Sequence, residues 1–163
     1  MPLEPPCNFG LWTFDSRLYI FPVSKKSAKI AALIHCCQGR EHDAHYRGYF
    51  ECFNRGLFYE AHDVLEEIWV TDRKGPNGAF YKGLIQLAGA FVLLQKNRLA
   101  PAARLFKLCR SNLQNYASPH QQLDVAWVLR LIEHWLQRLE VRQFDDNPFS
   151  IENAPKIHLL KGN

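Results

Sequence analysis

Apolar residues recur at helical spacing through the middle of this 163-residue chain. Between positions 41 and 143 they fall three or four residues apart, which places their side chains on one face of an α-helix. Breaks at Gly75-Pro76-Asn77-Gly78 and at Ser118-Pro119 divide the pattern. The pattern predicts helices over residues 43–54, 58–71, 79–97, 100–116 and 120–143.

The two ends of the chain lack this regularity. Residues 1–22 are rich in proline and then in aromatic residues, whereas residues 24–38 predict one short helix that Gly39 stops. From residue 144 the sequence is polar and broken by proline, which indicates an irregular tail. We therefore expect three parts: an N-terminal arm with a short helix at 1–40, a helical core at 41–143 and the tail at 144–163.

A faint internal repeat favours a particular way of packing these helices. Residues 57–64 resemble residues 99–106, and each segment follows a helix through a tight turn. Two helical hairpins stacked side by side would produce such a repeat. The expected fold is thus all-α, a compact multi-helix bundle of stacked helical hairpins with an irregular N-terminal arm.

Composition excludes several classes of protein. Hydrophobic residues make up 47% of the chain and charged residues 22%, which is the balance of an ordinary globular domain. The start of the chain has no pattern of a secretory signal. The longest apolar run, from Gly83 to Leu94, is too short to span a bilayer, so we expect no membrane partner. Five cysteines without a C-x-x-C pair indicate packing thiols and a cytoplasmic location.

Charge is unevenly distributed although the net value is only +4. Residues 41–72 contain eight acidic side chains, and residues 73–123 contain eight basic ones and no acid. We favour the interpretation that acidic and basic helices pack together and neutralise each other. The alternative is a basic face that binds nucleic acid, which is the weakest of the functions considered.

The residues that could carry chemistry lie on two of the predicted helices. Tyr59, His62, Glu66 and Trp69 share one stripe of helix 58–71, at the edge of its apolar face. The other acidic residues of this helix, Asp63 among them, are expected to face solvent. Helix 79–97 is apolar nearly all round but contains a glutamine at its centre, and a buried amide needs hydrogen-bond partners. We therefore expect Gln86 to meet His62 or Glu66.

These two blocks resemble the family known as domain of unknown function 309. The family pattern is F-N-x-G-x-x-x-E-A-H-[ED]-x-x-E-x-x-W, followed by a G-L-I-Q-x-A-x-A helix. The chain matches it at Phe53, Asn54, Gly56, Glu60, Ala61, His62, Asp63, Glu66 and Trp69, and again at Gly83, Leu84, Ile85, Gln86, Ala88 and Ala90. The resemblance extends over about residues 45–140. It implies a small all-α bundle and no established activity.

The cluster of His62, Glu66 and Gln86 allows three interpretations. In the first, the cluster is a buried polar network that fixes two helices in register. In the second, it is a ligand-binding or catalytic site in which Glu66 orients His62 as a base. Or it is a metal site that uses His62 and Glu66, four residues apart on one helix. His42 and His45 could add metal ligands only if the start of helix 43–54 reaches the cluster.

The function expected from these residues is the binding of a small ligand or a metal ion between two helices. His62 and Glu66 are the candidate catalytic groups, and the candidate ligand contacts are Tyr59, Trp69, Lys82 and Gln86. The alternative is a helical protein-interaction module in which the cluster is only structural. The sequence names no cofactor and does not decide whether the protein is an enzyme. A protein partner and a homo-oligomer are both compatible with it.

Overall fold

A computed structural model describes residues 27–38 and 43–161 of the chain. It contains six α-helices, which we number in chain order: α1 Ser27–Ile34, α2 Ala44–Asn54, α3 Phe58–Thr71, α4 Gly78–Gln95, α5 Leu99–Leu113 and α6 Val125–Val141. Short 3-10 turns follow at His35–Cys37 and Ile151–Asn153. No strand occurs in the described ranges, so the predicted all-α class is confirmed. The predicted arm before residue 27 lies outside them.

Helix α4 is the centre of the bundle. It packs against α3 on one side and α5 on the other, while α2 packs on α3 and α6 packs on α5. The run from Gly83 to Leu94 is buried throughout, which explains why this helix is apolar nearly all round. Helix α1 lies across α2 and α3. Antiparallel neighbours joined by short turns are the stacked hairpins that the repeat predicted.

The start of α6 differs from the prediction of a helix over 120–143. Gln121 and Gln122 have φ angles of 48° and 58°, so the backbone there is left-handed. The helix begins at Val125 instead, because the carboxylate of Asp124 accepts the backbone N–H of Trp127 at 2.9 Å. The hydroxyl of Ser118 also donates a hydrogen bond to this carboxylate. The bonds from Trp127 and Ser118 lower the pKa of Asp124. The preceding residues form a loop that crosses the end of the bundle.

The C-terminal tail packs onto the helices as a strap, which we define as residues 145–161. The ring of Phe149 packs against the rings of Phe58, Phe91 and Trp135, and the distances between ring centroids are 6.0, 6.0 and 5.9 Å. Ile157 is buried in the same hydrophobic core. The expected irregular tail is therefore irregular in backbone but is part of the packed structure.

The basic residues of α5 are partly neutralised by its neighbour. Lys107 lies 3.0 Å from Glu140, and Arg110 lies 2.8 Å from Glu133, so both ion pairs join α5 to α6. This agrees with the favoured interpretation of the charge pattern, although the acids belong to α6 rather than to residues 41–72. Among the helices of residues 27–38 and 43–161, none combines the length and apolarity needed to cross a membrane.

Candidate functional site

A glycine turn sets the direction of the helix that carries the candidate site. Helix α2 ends where Gly56 adopts a φ of +75°, a conformation that favours glycine. The N–H of Leu57 donates to the carbonyl of Cys52 at 3.0 Å, and that of Gly56 donates to Phe53 at 2.9 Å. This pair of bonds closes the end of α2 in the manner common for helices that end in glycine. Helix α3 then returns antiparallel to α2.

His62, Asp63 and Glu66 converge on α3. One nitrogen or oxygen atom from each of the three lies within 4.8 Å of the others. His62 and Asp63 are only 4% and 7% exposed, while Glu66 is half-buried. The Nδ1–H of His62 faces Oδ1 of Asp63 at 3.3 Å, longer than a normal hydrogen bond of about 2.7–3.2 Å. His62 and Glu66 are therefore close to each other, and Asp63 is a third member of the cluster.

The expectation that Asp63 faces solvent is wrong. Helix α1 packs on the flank of α3 that the pattern assigned to water, where Lys29 forms an ion pair with Glu60 at 3.0 Å. Asp63, one turn after Glu60 on the same helix, is 7% exposed and faces the neighbouring imidazole. The periodicity of α3 alone does not contain this information, since it depends on which parts of the chain pack on that flank.

Gln86 has a different partner from the one expected. Its Oε1 accepts the Nδ2–H of Asn112 at 2.8 Å, which ties α4 to α5. Gln86 is buried, as predicted, and its need for a partner is met on the side away from α3. The interpretation that Gln86 meets His62 or Glu66 is therefore replaced by an α4–α5 bond. Asn112 was missed because a half-buried asparagine on a basic helix gives no distinctive signal.

The other candidate ligand contacts lie on α3 and α4. Tyr59 and Trp69 stand on the same stripe of α3, one turn before His62 and about one turn after Glu66. The indole of Trp69 carries the guanidinium of Arg73 at 4.5 Å from its ring centre. Lys82 is half-buried on α4, one turn before Gln86. Their contact with a ligand stays a prediction.

The start of α2 reaches α3 next to the cluster. Nε2 of His45 lies 2.8 Å from a carboxylate oxygen of Glu67, and its Nδ1 lies 3.1 Å from Asp43. His45 thus binds the residue after Glu66 and does not supply the additional metal ligand considered from the sequence. His42 lies outside the described residues.

Buried phenols and thiols elsewhere in the core are structural. Burial raises the pKa of Tyr49 well above its ordinary value, and its hydroxyl donates to the carbonyl of Leu84 at 2.8 Å. Burial also raises the pKa of Cys52 to about 11, with smaller contributions from nearby acids, so this thiol is protonated at neutral pH. These groups fill and tie the core; among the described residues, His62, Asp63 and Glu66 are the set whose side chains could hold a metal ion.

The three α3 side chains form a donor set with a recognisable chemical preference. An imidazole nitrogen and two carboxylates suit divalent ions such as Zn²⁺, Mn²⁺ and Fe²⁺. The two carboxylates, at the limit of 4.8 Å, repel by about 3.5 kcal/mol at an effective dielectric constant near 20 when both are ionised. A bound cation would remove that repulsion.

Comparison with known proteins gives one match. Residues 46–105 match the model of a family described as domain of unknown function (DUF309). The chain resembles this family. The matched segment contains most of α2, all of α3 and α4, and the first half of α5, so it includes the α3 cluster. No curated protein and no solved structure matches the chain. Because the family description names no activity, the function has to be argued from the site.

Proposed function

We propose that the protein binds a divalent transition-metal ion through His62, Asp63 and Glu66. The observation that carries this proposal is the convergence of one donor atom from each of the three within 4.8 Å, at the edge of a buried helix face. Residues 62, 63 and 66 span little more than one helical turn, so a rigid element positions all three.

The geometry within the cluster supports the binding of a cation. The bond between His62 and Asp63 is long at 3.3 Å, so an ion that displaces it costs little. Three protein ligands leave at least one coordination position for water or a small ligand. Tyr59, Trp69 and Lys82 are the proposed contacts for such a ligand. Gln86 is not part of this proposal, because its bond to Asn112 turns its amide toward α5.

Direct binding measurements test the proposal. The full chain is stripped with a chelator and titrated calorimetrically with Mn²⁺, an ion that prefers oxygen and nitrogen donors to the thiols of this protein. We expect one ion per chain. His62→Gln and Glu66→Gln should each weaken binding by about tenfold or more. Glu67→Gln is the matched control, since it removes an exposed carboxylate one residue along the same helix.

The outcome also distinguishes the alternative function. Equal affinity in the wild type and all variants would place Mn²⁺ elsewhere, and no binding would end the metal proposal. If His62→Gln and Glu66→Gln instead lose stability without any effect of metal, the cluster is a buried network. The interaction-module interpretation would then be preferred.

The free thiols support a reducing compartment for this function. Cys37, Cys52 and Cys109 are buried and unbridged, and Cys36 is exposed and unbridged. An exposed free thiol persists most readily where glutathione and thioredoxin keep cysteines reduced. We therefore propose the cytoplasm as the location. Fractionation of cells that express the tagged chain would test it.

A further inference from the structure

The connection between α6 and the strap is made in an unfavourable backbone conformation. Gln143 and Phe144 have φ angles of 50° and 63°, so two consecutive non-glycine residues are left-handed. The N–H of Phe144 donates to the carbonyl of Leu139 at 3.1 Å, which closes the helix end. Glycine usually occupies the first left-handed position of such a closure. Continuation of α6 through Gln143 and Phe144 would return both residues to ordinary helical angles.

The strap binds the bundle through contacts made beyond this connection. The amide of Asn54 brackets the backbone of Ile157: its Nδ2–H donates to the carbonyl at 2.8 Å, and its Oδ1 accepts the N–H at 2.7 Å. Nearer the connection, Asn147 donates to the carbonyl of Leu94 at 2.8 Å, at the end of α4. None of these contacts requires that the strap and the helices belong to the same chain.

The surface under the strap is apolar and needs a cover. Phe58, Phe91 and Trp135 surround Phe149 of the strap, so an open strap would expose a cluster of aromatic side chains. Because a second copy of the chain has the same sequence, its strap could make the same contacts with this surface. Val141, the last residue of α6, and Phe144 are 75% and 36% exposed and would lie three residues apart on the extended helix. They would provide an apolar contact between the two extended helices.

We infer that two copies of the chain form a dimer by exchanging their C-terminal straps. In this dimer α6 continues through Gln143 and Phe144, and each strap occupies the groove of the other copy. Strained short connections favour this kind of exchange, and the resulting interface is the same on both copies. The inference is independent of the proposed metal site, because the strap contacts do not involve His62, Asp63 or Glu66.

Refolding and light scattering test the inference. The full chain is unfolded in denaturant and refolded at micromolar and at about millimolar concentration, the range of an intramolecular tether. We expect a dimer fraction that rises with concentration. Gln143→Gly favours the left-handed closure and disfavours the extended helix in both copies, so the association constant should fall by at least about tenfold. Gln137→Gly, an exposed glutamine earlier in α6, is the matched control and should not favour the monomer in this way.

A second measurement identifies the contacts of the dimer. Isotope-labelled and unlabelled chains are mixed before refolding, and nuclear Overhauser effects are recorded between Phe149 of one copy and Trp135 of the other. Such cross-copy contacts would support exchange. A monomer at every concentration, a dimer without these contacts, or equal effects of Gln143→Gly and Gln137→Gly would each overturn it.

Discussion

Neutralising one carboxylate of the α3 cluster separates a metal site from a structural network. Asp63→Asn keeps the size of the side chain and an oxygen that accepts the Nδ1–H of His62. It removes one of two carboxylates that lie within 4.8 Å of each other, and with it their repulsion, which is about 3.5 kcal/mol at that separation and an effective dielectric constant near 20. Without metal, we expect the Asp63→Asn protein to be at least as stable as the wild type.

Metal should reverse that order. An ion at a hundred times its dissociation constant stabilises the folded wild type by about 2.7 kcal/mol. For a chain of this size, that corresponds to a rise in Tm of about 5–11 °C. The Asp63→Asn protein has lost a ligand and should respond much less, while Glu67→Gln should respond like the wild type. Differential scanning fluorimetry with and without Mn²⁺, and with chelator, measures all three.

The reasoning fails on a specific pattern of melting temperatures. If Asp63→Asn melts several degrees below the wild type without metal, the charge of Asp63 stabilises the fold. If the wild type also shows no change in Tm with Mn²⁺, the cluster binds no metal ion. The cluster would then be the buried network that the sequence also allowed.

Three further substitutions test the structure away from the cluster. Asn54→Ala leaves both backbone groups of Ile157 without their bonds, so unfolding should become easier by about 2–4 kcal/mol, measured by urea denaturation, with faster amide exchange at Ile157. Gly48→Ala would place a Cβ atom 2.5 Å from Cγ2 of Ile34, so α1 must shift and Tm should fall by the equivalent of about 1–3 kcal/mol. Burial lowers the pKa of His120 below its ordinary 6.5, so as the pH falls the unfolded chain binds a proton at this residue before the folded chain does. The free energy of unfolding should therefore fall as the pH drops below about 6.5. The substitution His120→Gln should reduce this fall in a series of Tm measurements from pH 8 to 5.

The helices could be predicted because their signal is local. Apolar spacing defines α2, α3 and α4 to within a residue or two of their observed ends, and Gly56 marks the turn between the first two. The start of α6 could not be predicted in this way. Gln121 and Gln122 are ordinary helix formers, and only their packing in the loop holds them at positive φ.

The candidate site was predictable in part for the same reason. His62 and Glu66 are four residues apart on one helix, so their proximity follows from helical geometry alone. The burial of Asp63 depends on what packs against that flank of α3, and the partner of Gln86 depends on which face of α4 meets α5. Such facts arise from packing between elements distant in sequence, which periodicity does not encode.

The segment that resembles the family contains one partner of each hydrogen bond between the strap and the ends of α2 and α4. Asn54 ends α2 and holds the strap, Leu94 ends α4 and accepts from Asn147, and the α3 cluster lies between these helices in sequence. Residues 46–105 therefore supply part of the groove for the strap as well as the proposed metal ligands. The strap docks at the C-terminal ends of α2 and α4, whereas the cluster lies in the first half and middle of α3. Loss of strap contacts and loss of metal ligands should consequently be separable: Asn54→Ala should lower stability without changing the affinity for Mn²⁺, and a change in both would show that the strap supports the site.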